Sequence, residues 1–158
     1  MKSYIMVPYG EFRTAKGDNI LRTSYTGAGI CVALIDITNR IGALANIQFP
    51  TEISKKMSTT VSVEKLLEEM LGKMLDFGGF MYNIRAKLAG GATLKYEGTE
   101  EFYDIGRENL NLINQTLSSM NIPVSSVDTG GQYSRQIELH CSTGRVIVRS
   151  LTDKIEVL

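Results

Sequence analysis

Few residues in this chain have the type and setting to do chemistry, and the first is Cys31, which closes a glycine-rich turn and begins an apolar run in "TGAGICVALID". A thiolate attacks acyl and amide carbons, and a neighbouring base must first take the thiol proton. Local rules keep a second reading open, because free cysteine is among the most buried residue types and Cys31 can be a small core hydrophobe. His140 is the one histidine in the chain, beside Cys141 in "IELHCS", so any imidazole chemistry depends on that position. Strand alternation sets His140 with Glu138, opposite Leu139, as a solvated or hydrogen-bonded side chain. Cys141 stands just before a turn and reads as structural.

Other motifs weaken on inspection. "GAGICV" has Val32 where a dinucleotide fingerprint needs its third glycine, and a strand rather than a helix follows. Gly27 and Gly29 instead read as a turn whose permissive backbone lets a substrate or another loop come close. "DTG" at 128–130 is the aspartic-protease tripeptide, but one copy cannot form the paired carboxylates without a dimer. Asp128 and the following glycines read as turn residues. No second histidine or carboxylate cluster at ligand spacing supports a metal site.

These residues need elements to hold them. "SYIMVPYGEF" and "NILRTSYT" read as strands joined by a polar "RTAKGD" loop, and "CVALIDI" and "IGALANIQF" as buried strands around the turn "TNR". In "SVEKLLEEMLGKMLDFGG" Val63, Leu66, Leu67, Met70, Leu71, Met74 and Leu75 recur at helical spacing, with Ser62 as N-cap and Gly78-Gly79 as the end. "NIRAKLAGG" returns as a strand. A second helix over about 104–120 turns Leu112, Ile113, Thr116, Leu117 and Met120 inward. "IPVSSVD", "SRQIELHC" and "RVIVRSL" complete the strands, the last two linked by "STG". The order predicts one α/β domain over 1–158, with mixed or antiparallel pairing and two main helices.

Composition narrows the function classes. Seventeen Lys plus Arg balance seventeen Asp plus Glu, which gives no electrostatic footprint for nucleic acid or an anionic membrane. The N-terminus "MKSYIMVPYG" lacks an apolar stretch of signal-peptide length, and no run is apolar enough to insert in a membrane. The chain therefore reads as soluble and intracellular, with both cysteines kept as thiols.

In order over about 120 residues, "GAGICVALID", "IGALANIQFP", "KLLEEML", "AKLAGGATL", "IGRENLNLINQTL" and "IPVSSVDTGGQYSRQIELHCSTGRVIVRSL" resemble the CheD family of chemoreceptor glutamine deamidases. The first is similar to that family's Gly-Leu-Gly-Ser-Cys-Val turn and strand. The second is similar to its Gly-Gly-Met-Ala-His, followed by an apolar pair and Leu-Pro. The resemblance implies a cytoplasmic α/β sandwich that converts glutamines on chemoreceptor cytoplasmic helices to glutamates and releases ammonia. It also implies a cysteine nucleophile, a histidine base, an orienting threonine and no cofactor, and for several members a CheC phosphatase as partner.

Carried over by position, the nucleophile falls on Cys31 and the histidine on Asn46. The threonine falls at or beside Tyr25, with Thr26 one step on and Thr23 two steps back, and the serine before the cysteine is Ile30. Thr26 is then the catalytic threonine candidate, and Tyr25, Gly27 and Gly29 are the candidates for substrate contact. Asparagine donates and accepts hydrogen bonds but takes no proton at neutral pH. Losing a general base costs about a hundred- to ten-thousandfold in rate. Without a cationic partner a thiol keeps only a few per cent thiolate at pH 7. His140, reaching across from a neighbouring strand, is the remaining route to a base. The expectation is a chemotaxis protein with impaired or altered catalysis, or alternatively a binding module for receptor helices or a CheC-like phosphatase.

Overall fold

A computed structural model describes residues 2–27, 29–47, 59–92, 105–151 and 154–158, with backbone alone at 59–62, 105, 106 and 108. Three layers stack in it: one sheet, a second sheet, and a pair of helices. The outer sheet has the order β1(Tyr4–Met6), β3(Ile20–Arg22), β8(Arg135–His140), β9(Arg145–Ser150), β10(Ile155–Val157). The central sheet runs β2(Phe12–Lys16), β5(Ile41–Ile47), β4(Ile30–Asp36), β6(Arg85–Gly90), β7(Val124–Thr129). Pairing is parallel between β1 and β3 and between β6 and β7, and antiparallel elsewhere. The expected mixed α/β sandwich is therefore the fold observed.

Every residue of β4 and β5 is buried because the central sheet is covered on both faces. Alternation divides their side chains between two cores. Ile30, Val32 and Leu34 meet the helices, while Cys31, Ala33 and Ile35 point toward the outer sheet and join Ile137, Leu139, Val146 and Val148. Each large aliphatic side chain buried in this way contributes about 1.5–3 kcal/mol.

Helix α1(Thr59–Asp76) packs Val63, Leu67, Met70 and Met74 on the central sheet. It starts earlier than its apolar pattern, so Ser62 lies inside the helix and is not its N-cap, and Leu75 at the last turn is exposed. Its end follows the expected glycines. Gly78, at φ +98°, donates its N–H to the Leu75 carbonyl and Gly79 donates to that of Met74, a Schellman closure. Helix α2(Ile105–Ser119) ends in the same way with Asn121 at φ +58°, and buries Ile113, Thr116 and Leu117.

The first strands also depart from the sequence reading, as does β10, which it did not contain. "RTAK" is strand rather than loop, and the strand expected before it is broken by a turn at Pro8–Gly10 into β1 and β2. β2 is the edge of the central sheet, where Phe12 and Ala15 face the two cores and Arg13 and Lys16 are tolerated at the rim.

Candidate functional site

Cys31 sits mid-sheet, in β4, opposite Asn46 of β5 on one side and Ala89 of β6 on the other. Its strand is central in the sheet and its side chain is buried between the two sheets. Register alone brings Asn46 to it, because directly opposed residues share a face. The Cys31 thiol points at Asn46 Oδ1 over 3.9 Å, and Asn46 Nδ2 donates to the Val7 carbonyl at 3.4 Å.

Two hydroxyls complete the surroundings. Beyond Arg22 the chain leaves β3 and crosses toward the central sheet, which buries Thr23 and Thr26 completely and sets both hydroxyls close to the Cys31 sulfur. Thr23 Oγ1 also accepts the Ile137 N–H at 3.1 Å, and Thr26 Oγ1 donates to the Arg135 carbonyl at 3.4 Å. Burial pushes the Cys31 thiol up to about 12, a rise that the Thr23 and Thr26 hydrogen bonds oppose without cancelling. At that value only about one thiol in 10⁵ is ionised at pH 7. The groups gathered here are neutral hydrogen-bonding partners. They can hold and orient a carboxamide, and none of them accepts a proton at neutral pH.

The other candidates are placed as follows. Tyr25 is exposed, and its carbonyl accepts the Tyr9 hydroxyl. Gly27 and Gly29 are tied to the end of β6: their carbonyls accept the N–H groups of Ala92 at 3.3 Å and Gly91 at 2.9 Å. Gly90 lies so close that a Cβ on it would stand 2.4 Å from the Gly29 carbonyl oxygen, and its φ of +116° also demands glycine.

His140 does not reach Cys31. It faces away from Leu139, which shares the core with Cys31, and its Nε2 stands 3.4 Å from Glu138 Oε2 on the outer face of the outer sheet. There it lines a pocket of about 320 Å³ with Lys2, Asp18 and Arg145. Burial works to raise Glu138, but hydrogen bonding from Arg22 and the charges of Arg149 and Arg22 more than offset it and hold this carboxylate below its ordinary range. Cys141 is a core thiol packed where Gly42 leaves room, since a Cβ there would lie 3.0 Å from its sulfur. Burial raises it to about 11.

Asp128 is corrected from turn residue to strand residue near the end of β7, and it pairs with Arg135. Gly130 and Gly131, both at positive φ, make the turn. Arg135 was not legible as part of this site. It opens an ordinary alternating strand, and no spacing announces that its guanidinium is buried against Asp128 and the Gly90 carbonyl.

Residues 39–150 match the family model described as CheD chemotactic sensory transduction. The chain belongs to the CheD family. The chemoreceptor glutamine deamidase CheD of Bacillus licheniformis is 27% identical over 160 residues, covering 99% of this chain and 95% of the relative. The probable chemoreceptor glutamine deamidase CheD of Archaeoglobus fulgidus is 32% identical over 149 residues, 94% of each chain. Among solved structures, the Bacillus licheniformis hypothetical protein YfiH superposes with a TM-score of 0.50 at 10% identity, over 77% of this chain and 51% of that one. That likeness concerns the sandwich alone. Asn46 and Arg135 of this CheD-family chain fall inside the matched residues, and Cys31 stands just upstream of them. Among the described residues no helix is long and apolar enough to cross a membrane.

Proposed function

We propose that this CheD-family protein acts in chemotaxis on glutamine side chains of chemoreceptor cytoplasmic domains, through Cys31, with turnover slowed by the lack of a base. In the reaction the Cys31 sulfur bonds to the glutamine side-chain carbonyl carbon, the C–N bond breaks and ammonia leaves with the thiol proton. Water then cleaves the thioester, leaving glutamate and restoring the thiol. Asn46 and Thr26 orient the carboxamide, and Gly27 and Gly29 allow close approach of the substrate backbone. The observation that carries the reading is the pairing of a buried, un-ionised Cys31 with Asn46, where an imidazole at the same position would draw off the proton. The deamidase activity in the names of its relatives supplies the substrate class.

Asn46→His is the decisive variant. Incubated with a receptor cytoplasmic fragment and followed by mass spectrometry, it is expected to convert glutamine to glutamate about a hundred- to ten-thousandfold faster than the parent. A parent already as fast as the variant would refute slowed turnover. A second reading, a binding module for receptor helices or a CheC-like phosphatase, is favoured by the burial of Cys31. It requires Cys31→Ser to keep both binding and chemotactic function, and a variant that binds but no longer functions contradicts it.

A further inference from the structure

We propose that Arg135 is a positioning residue of this site: its guanidinium, held between Asp128 and the Gly90 carbonyl, fixes the backbone segment that aims Thr26 at Cys31. Among the described residues Arg135 is the bulkiest of the fully buried side chains, at 1% exposure. It starts in the outer sheet and ends in the central one. Nε and Nη2 each stand 3.4 Å from a different oxygen of Asp128 on β7, while Nη1 donates to the Gly90 carbonyl of β6 at 3.2 Å. The Tyr133 ring covers the guanidinium from outside, 4.2 Å from ring centre to Cζ.

The backbone of the same residue carries the consequence. Thr26 donates its N–H to the Arg135 carbonyl at 2.8 Å and accepts the Arg135 N–H at 3.1 Å, a single bridge outside the regular ladders. Thr26 is also one of the two buried hydroxyls that hold down the rise of the Cys31 thiol. A mechanical path therefore runs from Asp128 and Gly90 through the Arg135 side chain to its backbone, then to Thr26 and the thiol. Gly90, which shares this clamp, supports Gly29 from below. For stability alone, apolar side chains in place of both Arg135 and Asp128 would serve as well as the ion pair, whereas removing one partner alone leaves the other uncompensated. What guanidinium adds is a rigid fork that fixes direction at two acceptors together.

The inference rests on Cys31 being the working residue, and its test reads the thiol without requiring turnover. In a Cys141→Ala background the only S–H group is that of Cys31, and its infrared S–H stretch reports the hydrogen bonds at the sulfur. Thr26→Val removes the hydroxyl and sets the reference shift of that band. Arg135→Met is expected to move the band the same way, and the Arg135→Met, Thr26→Val double variant to move it no further. Arg135→Lys, which keeps a cation against Asp128 but cannot span both acceptors, is expected to melt nearer the parent and still shift the band. Should Arg135→Met fail to fold, Arg135→Lys and Asp128→Asn carry the comparison. A band unmoved in these variants while their Tm falls, or shifts that simply add in the double variant, overturns the positioning role. Slow turnover by Asn46→His would leave this result intact and count only against the proposed reaction.

Discussion

A thiol and an amide side chain face each other across two strands, and the proton on that thiol decides what they can do. Cys31 titrates at about 12 because burial removes the water that would stabilise a thiolate, and two hydroxyls only partly replace it. A raised folded pKa has a definite sign in stability. Below the unfolded thiol value, near 9, the contribution is fully present; it falls as pH rises from about 9 through about 12, because the unfolded chain loses the proton first. Cys141, raised to about 11, adds a loss of the same sign. Urea denaturation across this range is therefore expected to show a steep alkaline decline, with up to about 4 kcal/mol from Cys31 at its top. Cys31→Ala is expected to flatten that part of the decline. The sequence made Cys31 and Asn46 legible as partners only through family resemblance, because nothing local says that a cysteine and an asparagine in different strands share a face. Thr23 was harder to see, since its place depends on a chain leaving β3 without regular pairing.

At the scale of elements, register does the assembling. The turn 37–40 sets β4 against β5 so that Cys31 meets Asn46, and one residue of slip would send one of the two toward the helices. These two strands, β6, β8, β9 and both helices were readable from apolar runs and helical spacing, because each is covered on at least one face. β2 was not, because an edge strand carries charged residues that read as loop, and its identity comes from pairing with β5. The end of β6 bears most directly on the site. Gly90→Ala places a methyl against the Gly29 carbonyl in a backbone conformation that alanine resists. The expected cost is at least roughly 1–3 kcal/mol. It should appear as a lowered Tm together with faster hydrogen exchange at Gly91 and Ala92, whose N–H groups bond to the carbonyls of Gly29 and Gly27. A variant as stable and as protected as the parent would mean that the glycine segment is not held from β6.

Across the whole molecule the layers divide labour. The helices and the helix-facing side of the central sheet supply most of the aliphatic core, and the space between the sheets holds the candidate site. One α/β domain was foreseeable from the alternation of strand and helix patterns, and the sandwich from the family resemblance. Which sheet would face away from the helices, and that His140 would lie on its far side, depended on long-range pairing of β8 with β3 and β9. That pairing puts the chain's only imidazole beyond reach of Cys31, leaving the thiol to neutral partners. The direct test is the pH profile of Cys31 alkylation by iodoacetamide, resolved by peptide from that of Cys141. The account predicts a rate that keeps climbing through the alkaline range with no plateau near neutrality, and an Asn46→His variant that gains one. A plateau at or below pH 7 in the unmodified protein would contradict it, because it would require a base beside Cys31.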